Sequence, residues 1–317
     1  MQRRDVLKLM GVGTLAGAMS SLATAQESDA EHMEHMTAPN GAGYYRFALG
    51  DASIVVLSDG QGVGGTTLPN WGANPDRQEV YTETLKTYHA PVEPAINNFN
   101  PMLVDMGGHK LLVDTGLGNS GNPATGQLLK HLAHAGYHPD DINTVFITHG
   151  HPDHIQGLTD GALENFPNAE LLMGETEFNF WASQAEPSAA VQNNLIALKD
   201  RFKLISAGDE IISGVSAVAT PGHTVGHMSV LVSSGDKALM HLGDAGGHFL
   251  LSLRHPENYL RFDSDKELVV KTRGELFARA SQENLLVVGY HFPWPAVGYI
   301  HPWQDAYEFI PAFWTWS

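Results

Sequence analysis

Three imidazoles and a carboxylate fall within six consecutive residues, His149-Gly150-His151-Pro152-Asp153-His154, directly behind the apolar run Thr144–Thr148. No other feature limits the fold as much. Val145, Phe146 and Ile147 read as a strand buried on both faces, and Gly150 and Pro152 predict a loop after it rather than a helix. Side chains crowded into such a loop converge, and imidazole with carboxylate is the donor set of zinc and its neighbours. Three further strand-like runs end in the same way. Val215–Thr220 leads to Pro221-Gly222-His223, Ala238–Leu242 to Gly243-Asp244, and Leu285–Tyr290 to His291. In a sheet-based fold such ends lie along one edge, where sites gather.

Composition narrows the chemistry. The chain has 17 His, nearly as many as its 18 Lys plus Arg, and no Cys. That excludes disulfides, thiolate-held zinc, iron–sulfur clusters and a thiol nucleophile. No Gly-x-Ser-x-Gly elbow supplies a serine nucleophile either. A net charge of −17 argues against a nucleic-acid partner, which needs a basic face. Apolar residues at 43% suffice for a large core.

Residues 1–25 read as an export leader. Arg3-Arg4 precede a weak apolar run, Leu9–Leu22, broken by Gly11, Gly13 and Gly17, and Ala23-Thr24-Ala25 fits a cleavage site. The paired arginines resemble a twin-arginine signal, which predicts a periplasmic or secreted protein and no stable membrane span. Residues 26–43 are polar and small, a flexible linker despite Glu31-His32-Met33-Glu34-His35-Met36. The remainder, 44–317, is expected to form the folded domain.

Within it, strands are predicted at Tyr44–Leu49, Ser53–Ser58, Met102–Asp105, Lys110–Asp114, Glu170–Met173 and Met228–Ser233, with Gly107-Gly108 as a hairpin turn. Helices are predicted at Glu79–Tyr88, Thr125–Ala135, Glu175–Ser183, Ala189–Phe202 and Lys266–Ser281. The mixture predicts an α/β fold with mixed sheets. The long connection from Gly60 to Asn100 suggests a functional loop.

His149-Gly150-His151-Pro152-Asp153-His154, followed by His223, Asp244 and His291, resembles the metallo-β-lactamase superfamily. The resemblance implies a four-layer αβ/βα sandwich with two mixed β-sheets and a dinuclear metal site. It assigns His149, His151 and His223 to one metal, Asp153, His154 and His291 to the other, and Asp244 to both, with a bridging water or hydroxide as nucleophile. Two divalent ions are implied, zinc first, with manganese, iron and cobalt served by the same ligands. Asp114, in Val113-Asp114-Thr115-Gly116, matches an acid that supports the cluster loop, and His227 reads as a supporting or core residue.

Gly243-Asp244-Ala245, Arg261-Phe262-Asp263-Ser264-Asp265-Lys266 and His291-Phe292-Pro293-Trp294-Pro295-Ala296-Val297-Gly298 are similar to the methyl parathion hydrolase group and its lactonase- and esterase-like relatives. That implies hydrolysis of a small ester, lactone or phosphotriester, with Asp153 and Asp244 as the catalytic carboxylates and Asp153 able to steer water or shuttle a proton. Trp181, Phe292 and Trp294 are the candidate pocket aromatics, and His248 stands between a pocket and a core role. The similarity loosens over Gly60–Asn100.

Other readings are weaker. A β-lactamase of the superfamily carries Ser or Cys near the position of Asp244. An iron-dependent sulfur dioxygenase or a diiron flavoprotein partner could use these ligands, but no flavodoxin-like segment follows. A non-catalytic binding protein leaves so complete a ligand set without use. Six aromatics between Trp303 and Trp316 (with Tyr307, Phe309, Phe313 and Trp314) suggest a core cap, a pocket mouth or a homodimer contact.

Overall fold

The computed structural model describes residues 43–313. The expected leader, nearly all of the linker, and Trp314 and Trp316 lie outside the described residues. Two seven-stranded sheets form the centre. The first orders β1 (Tyr44–Leu49), β2 (Ala52–Leu57), β3 (Met102–Met106), β4 (His109–Val113), β5 (Thr144–Ile147), β6 (Glu170–Gly174) and β7 (Phe202–Ile205). Its first four strands are antiparallel neighbours and its last four pair in parallel. The second orders β8 (Glu210–Ile212), β9 (Val215–Ala219), β10 (Met228–Ser234), β11 (Lys237–His241), β12 (Leu286–Val288), β13 (Val297–Trp303) and β14 (Ala306–Pro311). Only β11 and β12 pair in parallel there.

Strand alternation explains the layers. In β2, Ile54 and Val56 face the second sheet, meeting Val230, Val232 and Leu239, while Val55 and Leu57 face outward. The outward side is covered by the helices Leu128–His134 and Glu175–Ala182 through Leu128, Leu132 and Phe178. The helix Lys266–Gln282 covers the second sheet through Leu276, Phe277 and Ala280. Both faces of each sheet are thereby apolar, which makes the four-layer αβ/βα sandwich.

Two expectations need correction. The segment Ala189–Phe202 is not one helix. It breaks into a short α turn, a π turn at Gln192–Ile196 and a 3-10 turn, and Phe202 opens β7. Parallel pairing with β6 decides that strand, a partner remote in sequence. The cluster loop also contains a helical turn, Pro152–Ile155. Proline is tolerated at its first position because no N–H is needed there.

The connection 60–100 carries the helix Gln78–Thr87 and a two-stranded ribbon, Gly60–Val63 with Ile96–Phe99. Its Trp71, Tyr81 and Leu85 bury against Leu250, Leu251 and Leu260, a small core of its own. The C-terminal aromatics divide: Tyr307 and Phe309 cap the core of the second sheet, while Phe313 is fully exposed. No described helix is long and apolar enough to cross a membrane.

Candidate metal centre

The strand ends deliver the cluster. β5 stops at Ile147 and β9 at Ala219, β11 leads into Gly243-Asp244, and β12 leads into His291. His149, His151, His223 and Asp244 place one ligand atom each within 4.8 Å of one another, and Asp153, His154 and His291 form a second such group. The nitrogens of the first group face each other: His151 Nδ1 lies 2.9 Å from His149 Nε2 and 3.0 Å from His223 Nε2. Asp244 stands between the groups. Its Oδ2 is 3.1 Å from His223 Nε2, and its Oδ1 is 3.3 Å from His154 Nε2 and 3.2 Å from His291 Nε2. Asp153 Oδ2 is 3.4 Å from His291 Nε2.

This donor set fits cations. His154 Nε2 and Asp244 Oδ1 are buried without a hydrogen-bond partner, an expensive state for two polar atoms. Three imidazole lone pairs converging at such distances have no mutual donor to satisfy them all. A cation satisfies every one.

His154, His223, His291 and Asp244 are held from behind. Asp114, at φ 62° and fully buried, accepts the Thr148 N–H (2.8 Å), the Thr148 hydroxyl (2.9 Å) and His154 Nδ1–H (2.8 Å). His291 Nδ1–H donates to the Asn98 carbonyl at 2.8 Å. Asp263 accepts from His223 Nδ1 at 2.7 Å and from the Leu260 N–H at 2.7 Å, and it faces Arg273 Nη2 at 3.6 Å. His227 fixes Asp244 through a directional chain. The Asp244 N–H donates to His227 Nε2, so His227 Nδ1–H donates to Thr220 Oγ1. Thr220 passes its hydrogen to Ser229 Oγ, and Ser229 passes its own to the Leu242 carbonyl. Glu177 joins two loops, accepting the Gly150 N–H (3.0 Å) and the Trp181 Nε1–H (2.6 Å) on one oxygen and the Gly226 N–H (2.8 Å) on the other.

The electrostatics divide the imidazoles. Burial pushes His149 well below the usual histidine range and His151 down to about 4, with neighbouring imidazoles adding to it. Burial opposes charge on His154 and His223 too, and is the largest single influence on each, but Asp244 and the other acids around them together outweigh it. With Asp114 and Asp153, Asp244 raises His154, and with Asp263 it raises His223 to about 9. Burial likewise opposes charge on Asp244, and His291, His154 and His223 together hold its carboxyl well below the usual range.

A cavity of about 340 Å³ opens at His291. The connection 60–100 supplies much of its wall, including Thr67, Trp71 and Tyr88, and His248, Phe249 and Trp294 close it. Trp71 meets the His291 ring edge-on, with centroids 5.0 Å apart. Trp181 stands on the opposite flank, edge-on to His151 at 5.5 Å, and does not line this cavity. Phe292 is no pocket residue. It is fully buried in the core of the second sheet against Phe309, its ring occupying the space above Gly289. Glu177, Arg273 and Trp71 escaped sequence reasoning, because their partners are distant in the chain. Asp263 stands in the run Arg261–Lys266, and the Asp-rich context of that run was the available signal.

Fold and cluster define a metal-binding hydrolase architecture of the αβ/βα type. The chain belongs to the Metallo-beta-lactamase superfamily, whose family profile matches residues 100–279. It is similar to an N-acyl homoserine lactonase of Bacillus cereus, 26% identical over 195 residues, which are 53% of this chain and 74% of the relative. Among solved structures it resembles AbOPH, a hydrolase in the beta lactamase superfamily (TM-score 0.79, 28% identity, 87% of this chain and 99% of that one). It also resembles AidC, a dizinc quorum-quenching lactonase (TM-score 0.78, 25% identity, 88% and 99%). Both the Bacillus relative and AidC are lactonases by name, enzymes that open a cyclic ester.

Proposed function

We propose that this chain opens a lactone ring at a centre of two divalent ions, most simply zinc. The observation that carries the reading is the placement of Asp244. It joins two groups of ligands, one of which opens through His291 into a cavity with aromatic walls. His149, His151 and His223 would hold one ion, Asp153, His154 and His291 the other, and Asp244 both. Such ions supply Lewis acidity and a water acidic enough to react near neutral pH.

The chain's own residues do the rest. Trp71 and Trp294 give the apolar part of a substrate a dry surface beside His291. The Asn98 carbonyl and Asp263 turn His291 and His223 so that each presents Nε2 to the centre. Asp153 is the most open of the two carboxylates, its side chain 20% exposed against 6% for Asp244. It accepts the proton released as water adds to the carbonyl carbon. It returns that proton to the ring oxygen as the carbon–oxygen bond breaks, giving a hydroxy acid. The similarity to lactonases supports this substrate class. The sequence resemblance to the methyl parathion hydrolase group supports a neutral phosphotriester as a second one.

The test is turnover of an N-acyl homoserine lactone, an aryl lactone and an aryl phosphotriester by the metal-loaded chain, with Asp153→Ala as control. Lactone opening that is lost in the variant is expected. A chain holding two ions that opens neither lactone refutes the reading.

A further inference from the structure

His248 borders the cavity four residues beyond Asp244, outside both ligand groups. Its Nδ1 accepts two backbone hydrogens, from Leu250 N–H and Leu251 N–H, each at 3.2 Å. The backbone N–H of His248 donates to Ser252 Oγ at 3.0 Å, which pins the turn. A ring nitrogen that accepts cannot carry the hydrogen of a neutral imidazole, so the hydrogen sits on Nε2. Among the described residues no hydrogen-bond partner meets that Nε2.

The surroundings keep the ring uncharged. Phe249 stacks on it at 5.0 Å and Trp71 lies 6.0 Å away, and burial, with His291 acting in the same sense, pushes it down to about 3. Two other polar side chains of the wall already have protein partners. Thr67 gives its hydroxyl to the Pro91 carbonyl, and Gln61 gives its amide to Asn98 Oδ1. The Trp71 indole touches both His248 and His291, so a molecule lying on it reaches the donor and the ligand cluster together.

We propose that His248 is a substrate-binding residue whose Nε2–H, fixed by the fold, donates to a carbonyl oxygen of the molecule in this cavity. The identity of that molecule as a lactone rests on the function proposed above; the donor itself does not. A neutral donor suits an uncharged ester, because it adds no positive charge beside the ligand cluster. The carbonyl belongs either to the ring or to an acylamino side chain.

The test uses the metal-loaded full chain and two γ-lactams, one with an acylamino chain and one with a plain alkyl chain, which bind without ready hydrolysis. His248→Asn keeps an oxygen to accept the Leu250 and Leu251 hydrogens but has no donor at the ε position. His248→Gln restores an N–H near that position. Calorimetric titration is expected to show about a tenfold rise in Kd for His248→Asn, partly reversed in His248→Gln, with Tm and metal content unchanged. A rise for both lactams assigns the ring carbonyl; a rise for the acylamino lactam alone assigns the side-chain carbonyl. Equal binding by wild type and His248→Asn overturns the inference, as does a wild type that binds neither lactam, or a variant whose Tm falls with its affinity. A wild type that binds lactams through His248 yet opens no lactone refutes the hydrolase reading alone.

Discussion

Arg273→Met removes a cation from the interior with little change of shape. Arg273 is 1% exposed on the helix Lys266–Gln282. It donates to the carbonyls of Ala245 and Asn258, each at 2.8 Å, and faces Asp263 Oδ2 at 3.6 Å. Burial raises the Asp263 carboxyl, and Arg273 is the largest influence that brings it back below its usual value. Without the guanidinium, a buried carboxylate and two carbonyls lose their partner. Breaking a buried pair costs about 3–5 kcal/mol. At roughly 2–4 °C per kcal/mol for a chain of this size, Tm falls by about 10 °C. The effect reaches the site, because Asp263 orients His223. Losing such a support lowers metal affinity roughly 10- to 100-fold. Calorimetry gives the first quantity, and competition with a chromophoric chelator gives the second. Arg273→Met with Asp263→Asn removes both charges and should cost at least 1 kcal/mol less than the two changes added separately. A Tm loss under 2 °C, or strict additivity, refutes the reasoning.

Asp244→Ala should reduce bound metal from two ions toward one per chain and abolish most turnover; unchanged metal content on elemental analysis removes Asp244 from its place between the groups. At Gly150 an added Cβ would lie 2.3 Å from Trp181 Cδ1. Gly150→Ala therefore displaces the indole from Glu177, costing about 1–3 kcal/mol and turnover with it, and a variant as stable and active as wild type would show that the clip does not matter. Burial pushes Asp59 up to about 6, despite hydrogen bonds from Leu117, Leu128 and Gly126. An acid raised in the fold stabilises fully below its unfolded value near 4, and that stability is lost as pH rises through 6. The contribution is about 3 kcal/mol. Asp59→Asn cannot titrate, so denaturant unfolding from pH 4 to 6 should show a flatter slope than wild type; parallel slopes would count against it.

Much of the fold was legible because its signals are local. β1 runs over the residues its alternation predicts, and Gly107-Gly108 turns between β3 and β4 with both residues at positive φ. The hairpin β13–β14 was not legible. Most of its residues are half-exposed or exposed, and β13 is a strand through its pairing with β12 and β14. The ligand residues were readable because each lies within a few residues of the end of an apolar run. The cavity was not, because its wall comes from a connection whose conformation is set by a small separate core.

By itself the sequence determined the class of chemistry. A cysteine-free chain with His149, His151, Asp153 and His154 behind one strand has imidazole and carboxylate to offer a cation and no other nucleophile in evidence. Tertiary structure decided what stands behind and beside those ligands. His291 and Phe292 are neighbours in the chain, yet one faces the centre and the other fills the space over Gly289. Arg273 is an ordinary helix residue until Asp263, Ala245 and Asn258 surround it. Periodicity and spacing encode contacts between residues a few positions apart. The orientation of a ligand depends on backbone and side-chain groups from 17 residues away, as with His227 and Asp244, to 193, as with Asn98 and His291, and only packing brings those together.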